Sequence, residues 1–383
     1  MKLRAFFRDS ATAAMMICLV ILLTFAATAQ ANEVIKVASI YAFSGIGALS
    51  QELSIKGVRS GVSEVNSRGG ILGKKLMLVE LDNKSTPIGA KVAADRAVKD
   101  NVVAIIGSAW SSHTLPAAKV AQAAGVPLIT SISTLPGITD IGDYIFRVCF
   151  TDLFQGRVMA QFARLDLKAA TAAVFENLNS DFSMSLSREF CDNFEKLGGK
   201  VLLRTTYKDR QEDFSQIIEQ AAQVSPDVLF IPGYDESGVI IANARAAGLT
   251  AIPLGGDGWD MPDFFIKSAG KATGGYYCTH WSKEMDSEPS RNFVNKYYPN
   301  SQNDIGTAPA ALAYDAVLLL ADAIQRAGTT DRGAIRKALA ATRDFKGVTG
   351  TISFQGKGDP SKSAVIMKIV PDSAVMVKSI SPE

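Results

Sequence analysis

The sequence predicts an α/β fold of two doubly wound parallel-sheet lobes joined by three crossovers. Three observations carry that expectation. Short apolar strands alternate with amphipathic helices from residue 34 onward, the pattern of a parallel sheet covered on both faces. The same grammar starts again near Thr151. Helices without intervening strands then fill much of the tail, as if completing the first unit rather than extending the second.

In the first unit, "VIKVASIY" (34–41) is a β-branched apolar run that ends in the loop "AFSG". In "QELSIKGVRSGVSEVNSR" (51–68), Leu53, Val58, Val62 and Val65 recur at helical spacing. "GGILGKK" is a turn and "KLMLVELD" a strand. "STPIGAKVAADRAVKD" opens with a cap, Ser85 or Thr86, and has Pro87 in its first turn. "NVVAIIG" is a strand, "SSHTLPAAKVAQAAG" a helix closed by Gly125, and "VPLITSIS" the next strand.

In the second unit, "AATAAVFENLNSDF" is strand then loop, and "SMSLSREFCDNFEKLGG" a helix with a glycine stop. "KVLLRTTY" is a strand and "DFSQIIEQAAQV" a helix. "PDVLFIPGYDESGVIIANARAAG" reads strand, polar loop, helix, and "IPLGGDGWD" a strand ending in a glycine-rich loop. After "GGYYCTHW" come the helices "DSEPSRNFVNKYYP", "TAPAALAYDAVLLLADAIQRAG" and "TDRGAIRKALAAT", then the strands "GVTGTISF" and "SAVIMKIV". Passages between lobes are expected near Thr151, near Trp281 and at 355–359.

The first 31 residues read as a cleaved export signal: basic Lys2, Arg4 and Arg8, an apolar stretch, then Ala29 and Ala31 in an A-x-A site. A retained membrane anchor is the alternative, since the apolar stretch is nearly long enough to span. Removing 31 of 383 residues leaves 352, which favours two domains. Cleavage also takes Asp9, so 40 basic residues become 37 and 38 acidic ones become 37. A formally neutral mature chain offers no basic field for nucleic acid. No later apolar run reads as a bilayer span, so the mature protein is expected in the periplasm without membrane insertion. Cys149, Cys191 and Cys278 remain, an odd number, best read as buried thiols, with pairing of Cys149 and Cys191 left open. No C-x-x-C or H-x-x-x-H spacing occurs, so no metal or other cofactor is implied.

With these pieces in order, the sequence resembles the periplasmic solute-binding proteins of ABC importers in the Leu/Ile/Val-binding group, the type I periplasmic-binding fold. The marks are "IKVASIYAFSG", "NSRGGILGKKLMLVELDNKSTP", "IIGSAWSSHTLPAAKVAQAAGVPLITSISTLP", "FIPGYDESGVIIANARAAG", "PLGGDGWD", "ALAYDAVLLLADAI" and "FKGVTGTISFQGKGDPSKSAVIMKI", spread over about residues 33–371. The resemblance implies a ligand held in a cleft between lobes. The expected lobes are 32–151 plus 282–356 and 152–281 plus 357–383.

Sheet geometry points to the same cleft, because ligands of open α/β sheets sit beyond the carboxyl ends of the strands, where helix N-termini converge. Ser111 and Ser112 open the helix after "VVAIIG"; a plain helix cap is the competing role. The resemblance implies that Ser111 and Thr134 hold an α-carboxylate, and that the carbonyl of Ile132 accepts from an ammonium. It implies that Asp257 in "GGDGW", where many relatives carry a glutamate, is the counter-charge of that ammonium; an Asx-turn is the alternative. Tyr234 and Phe182 match positions that present aromatics to the ligand, Phe182 without the hydroxyl many relatives have there. Trp110 is expected to wall the side-chain pocket; core or rim packing is the alternative for all three aromatics.

A Ser-His triad is disfavoured: His113 lies two residues from Ser111 on one helix, and no G-x-S-x-G elbow exists. His113 is expected on the helix surface or rim. The expected function is capture of a small amino acid, aliphatic or branched, for delivery to an ABC permease. The alternatives are a sensor or carrier for another carboxylate, such as an aromatic acid, and a secreted hydrolase built on Ser111.

Overall fold

The computed structural model describes residues 34–299, 307–371 and 373–382; the expected signal at 1–31 lies outside them. Two sheets organise the chain. The first is wholly parallel in the order β2-β1-β3-β4-β5, from β1 (Val34–Tyr41), β2 (Lys75–Asp82), β3 (Ala104–Gly107), β4 (Leu128–Thr130) and β5 (Ile145–Arg147). Its crossover helices are α1 (Ala48–Ser67), α2 (Pro87–Lys99) and α3 (Ser111–Ala123). β1 and β2 fall on the expected residues. β3 begins three residues late because Asn101 takes a left-handed turn at φ 56°. β4 is cut short where the chain turns out of the sheet: the Thr130 hydroxyl accepts from Ser133 N at 3.2 Å and donates to Ser108 O at 2.8 Å. Thr86 caps α2, its hydroxyl accepting from Gly89 N at 2.9 Å, with Pro87 in the first turn.

The second sheet runs β14-β13-β10-β9-β8-β6-β7. Its strands are β6 (Thr171–Asn177), β7 (Lys200–Tyr207), β8 (Val228–Phe230), β9 (Ile252–Gly255), β10 (Tyr276–Thr279), β13 (Ala364–Val370) and β14 (Ser373–Ile380). β6 to β10 are parallel, but β13 runs antiparallel to β10 and β14 antiparallel to β13. The expected doubly wound parallel sheet thus carries an antiparallel edge of two strands. β13 ends at Val370 and β14 begins at Ser373, a connection too short for a crossover helix. β14 was not foreseen: its side chains alternate between half-buried and exposed, a weaker signal than a buried run. The helices of this body are α4 (Asp152–Gln161, extended by one π turn to Asp166), α5 (Asp181–Lys196), α6 (Ser215–Val224), α7 (Glu236–Ala246) and α8 (Pro262–Ser268).

The tail helices α9 (Glu288–Tyr297), α10 (Ala308–Ala327) and α11 (Arg332–Ala340) precede the hairpin of β11 (Phe345–Gly347) and β12 (Gly350–Ile352). Leu312, Val317, Leu320, Ile335, Leu339 and Ile352 share one core with Ile35, Val37 and Ile106 of the first sheet. α10 lies close against α1 because two glycines admit it. A Cβ on Gly57 would stand 2.2 Å from Ala310 O, and one on Gly61 2.7 Å from Val317 Cβ. The expectation that no later segment could span a bilayer needs correction: α10, with 20 residues, is long and apolar enough. Most of it is buried between α1 and the first sheet, which accounts for its composition.

The third passage between the sheets runs slightly later than 355–359. Gly358 O still accepts from Arg147 N at 2.9 Å and Asp359 still binds the buried Arg147 guanidinium, while the second sheet is entered at Ala364. Cys149, Cys191 and Cys278 are all buried free thiols, so Cys149 and Cys191 do not pair. Among the described residues no His, Cys, Asp and Glu side chains form a metal-sized cluster.

Candidate functional site

The carboxyl ends of both sheets face a common, narrow cavity. β3 delivers Ala109, Trp110 and Ser111; β4 delivers Ile132 and Thr134; β8 delivers Tyr234; β9 delivers Asp257 and Gly258; and α5 turns Phe182 inward. Seven of the eight residues singled out from the sequence therefore line one space, although they span 147 positions from Trp110 to Asp257. Ser112 does not line it: as the second residue of α3 it points around the helix, away from Ser111.

On the first wall, the residue capping α3 is Trp110, not Ser111, which is the first helical residue. Ser111 Oγ accepts from Leu135 N at 3.3 Å, which joins the helix start to the loop after β4. That bond leaves the hydroxyl hydrogen for a further acceptor. The backbone N–H groups of the helix start face the same way, at the positive end of the dipole. Thr134 is buried beside it, and its carbonyl accepts from Asp152 N at 2.9 Å.

On the second wall, Asp257 opens a single 3-10 turn (Asp257–Trp259). Its N–H donates to Gln155 Oε1 at 2.7 Å. Its Oδ2 lies 3.1 Å from Nε2 of His280, and its buried Oδ1 has no partner among the described residues. A carboxylate only accepts, so the proton sits on Nε2 of that imidazole. Burial lowers the His280 pKa, and the hydrogen bond and charge of Asp257 oppose that. His280 is thus neutral at pH 7 and adds no positive charge beside Asp257. Asp260, at the end of the same turn, also lines the cavity; it accepts from the Thr279 hydroxyl, and burial pushes its carboxyl up to about 7. Burial likewise pushes Asp152 up to about 7, opposed by hydrogen bonding from the Thr134 and Ser185 side chains.

Three aromatic rings bridge the walls. Tyr234 stacks on Trp110 with centroids 5.1 Å apart and on Phe182 at 5.2 Å. Tyr234 thus packs between the walls, and burial raises its phenol pKa well above the usual value.

His113 is not the rim residue expected. It is 2% exposed, its ring lies 5.2 Å from that of Trp110, and burial alone lowers its pKa to about 4. The burial follows from its place on the inner face of α3, which periodicity alone did not assign. Residues not singled out also line the cavity: Ser50, Gln51 and Ser54 from α1, Asp260 and Met261 after the 3-10 turn, and Pro309 at the start of α10. Asp260 stood in plain view in "GGDGWD". Nothing in the sequence marked Gln51 as more than an early helix residue.

The geometry has counterparts. Residues 34–374 match a family model described as periplasmic binding protein. A Leu/Ile/Val-binding protein homolog of Brucella suis is 30% identical over 317 residues, covering 82% of this chain and 84% of the relative. The leucine-, isoleucine-, valine-, threonine-, and alanine-binding protein of Pseudomonas aeruginosa is 28% identical over 337 residues, covering 88% and 89%. Among solved structures, the leucine-binding protein LivK of Thermotoga maritima superposes with TM-score 0.86 at 34% identity, covering 91% of this chain and 99% of that one. The LivJ substrate-binding protein of Streptococcus pneumoniae, in complex with isoleucine, does so with TM-score 0.86 at 30%, covering 91% and 100%. A benzoate complex from R. palustris, at 19% identity with TM-score 0.80 over 91% and 97%, shares the fold. A matched span from the first strand to the last, two α/β bodies and one cleft between them all agree: the chain belongs to the periplasmic binding protein family, among its Leu/Ile/Val-type members with the type I fold.

Proposed function

We propose that this chain is an exported, non-catalytic binding protein that closes on a small amino acid and delivers it to the membrane permease of an ABC importer. The observation that supports the reading is Asp257, a buried carboxylate with an unpartnered Oδ1 that lines the cavity opposite a helix N-terminus. A buried negative charge beside a neutral histidine calls for a cation, and an α-ammonium supplies one. The opposite wall, with the Ser111 hydroxyl, Thr134 and the start of α3, suits the α-carboxylate. A zwitterion so oriented is held by both walls and ties them together. It shifts the open–closed balance by its tighter binding to the closed state. In this reading Trp110, Ile132, Phe182 and Tyr234 contact the ligand, while Ser112 is left with a backbone role.

The names of the relatives make a small side chain, branched aliphatic or the hydroxylated one of threonine, the first choice. The reading includes a signal cleaved after Ala31, a periplasmic location, and lobes of 32–151 plus 282–356 and 152–281 plus 357–383, the last boundary falling nearer 359–364. Calorimetry of the mature protein against a panel of L-amino acids and aromatic acids is the test. Heat of binding is expected from small amino acids. A well-folded protein that binds an aromatic acid and no amino acid would sink the assignment and favour a carrier or sensor of acids.

A further inference from the structure

The wall contributed by α1 is polar in a way that an aliphatic ligand does not use. Gln51 is 1% exposed and lines the cavity. Its Oε1 accepts from Ala42 N at 2.8 Å. A backbone N–H can only donate, so that bond fixes the amide orientation and leaves Nε2 as the free donor. Nε2 has no partner among the described residues. Gly47 locates it: a Cβ there would stand 2.8 Å from Trp110 Cη2 and 3.2 Å from Gln51 Nε2. The free donor therefore sits at the outer edge of the Trp110 ring, on α1 rather than on the Asp257 turn. Ser50 and Ser54, also buried, flank it on the cavity wall. The Ser50 hydroxyl donates to Gly47 O at 3.1 Å, which leaves its oxygen as an acceptor.

A buried donor without an acceptor is costly, and a site built to hydrogen-bond a ligand group rejects the analogue that lacks it. We infer that Gln51 is a specificity-determining residue whose Nε2 donates to an oxygen on the ligand side chain, so that the preferred ligand class is small amino acids carrying a hydroxyl or amide. The inference rests on the amino-acid reading above.

Threonine and valine have nearly the same shape and differ by that oxygen, so they isolate the effect. In calorimetry with the intact mature protein, L-threonine is expected to bind at least about tenfold more tightly than L-valine. Gln51→Met, similar in length but without the donor, is expected to bring the ratio to one or below. The melting temperature of the variant checks its fold, and the wild-type ratio stands even if the variant does not fold. Valine binding as tightly as threonine overturns the inference and leaves the amino-acid reading intact, as does an unchanged ratio in a folded Gln51→Met protein. Binding of no amino acid at all overturns both.

Discussion

The two walls of the cleft sit at equivalent places, the carboxyl ends of parallel strands, yet they are built from opposite chemistry. Behind the first wall lies a web of hydroxyls. Thr130 Oγ1 and Ser133 Oγ donate to Ser108 O at 2.8 and 3.1 Å, and the Thr114 and Ser133 hydroxyls are 2.5 Å apart. Those groups satisfy one another whether or not anything is bound. The second wall carries a carboxylate with an unmet valence, Asp257 Oδ1. A preassembled neutral wall orients, while a wall with uncompensated buried charge selects. The same sheet architecture thus serves either role, and the loops after the strands decide which.

Asp257→Ala is the change that breaks the contrast most severely. It removes the charge of the second wall, and amino-acid affinity is expected to fall by about 100-fold or more in calorimetry. Unchanged affinity would mean that the ligand brings no cation to this wall.

The walls should also respond to pH with opposite signs. Asp152 and Asp260 titrate near 7 in the fold, above the ordinary carboxylate value. Between about pH 4 and 7 the native state therefore holds protons the unfolded chain has released, so these groups make stability fall as pH rises through that window. His113, lowered to about 4, does the reverse: it is held neutral where the unfolded chain would be protonated, so it makes stability rise from pH 4 to about 6.5. Asp152→Asn is expected to raise unfolding free energy at pH 8 by roughly 2 kcal/mol and to have little effect near pH 4. Denaturant titration at the two pH values checks it; an equal shift at both would remove the ionisation argument.

Smaller effects sharpen the first wall. Ser111→Ala is expected to weaken amino-acid binding by about fivefold, since one neutral hydrogen bond among several is lost. Ser112→Ala, outside the cavity, should change affinity by less than about twofold. If the two serines weaken binding equally, α3 acts through its backbone end alone.

Much of the fold was legible because its signals are local. β1, β2 and β7 coincide with their apolar runs, and Thr86 with Pro87 marked the start of α2. The candidate site was legible where a residue follows a strand directly, as Trp110, Ser111 and Asp257 do. It was not legible on α1, where Gln51 carries no mark distinguishing a cavity wall from a core face. The antiparallel edge strand β14 escaped because a half-exposed strand alternates only weakly.

By itself the sequence determined the alternation of strands and helices, their near boundaries and the polar loops at strand ends, because hydrophobic period, capping and turn chemistry act over a few residues. Only the tertiary structure decided which distant side chains meet. It set His280 against Asp257 across 23 positions, anchored Arg147 on Asp359 across 212, buried His113 beneath Trp110 and brought Gln51, with its unpartnered amide nitrogen, to the cavity wall. Those contacts depend on how two sheets pack and close, and burial, which sets charge and hydrogen-bond need, exists only once that packing does.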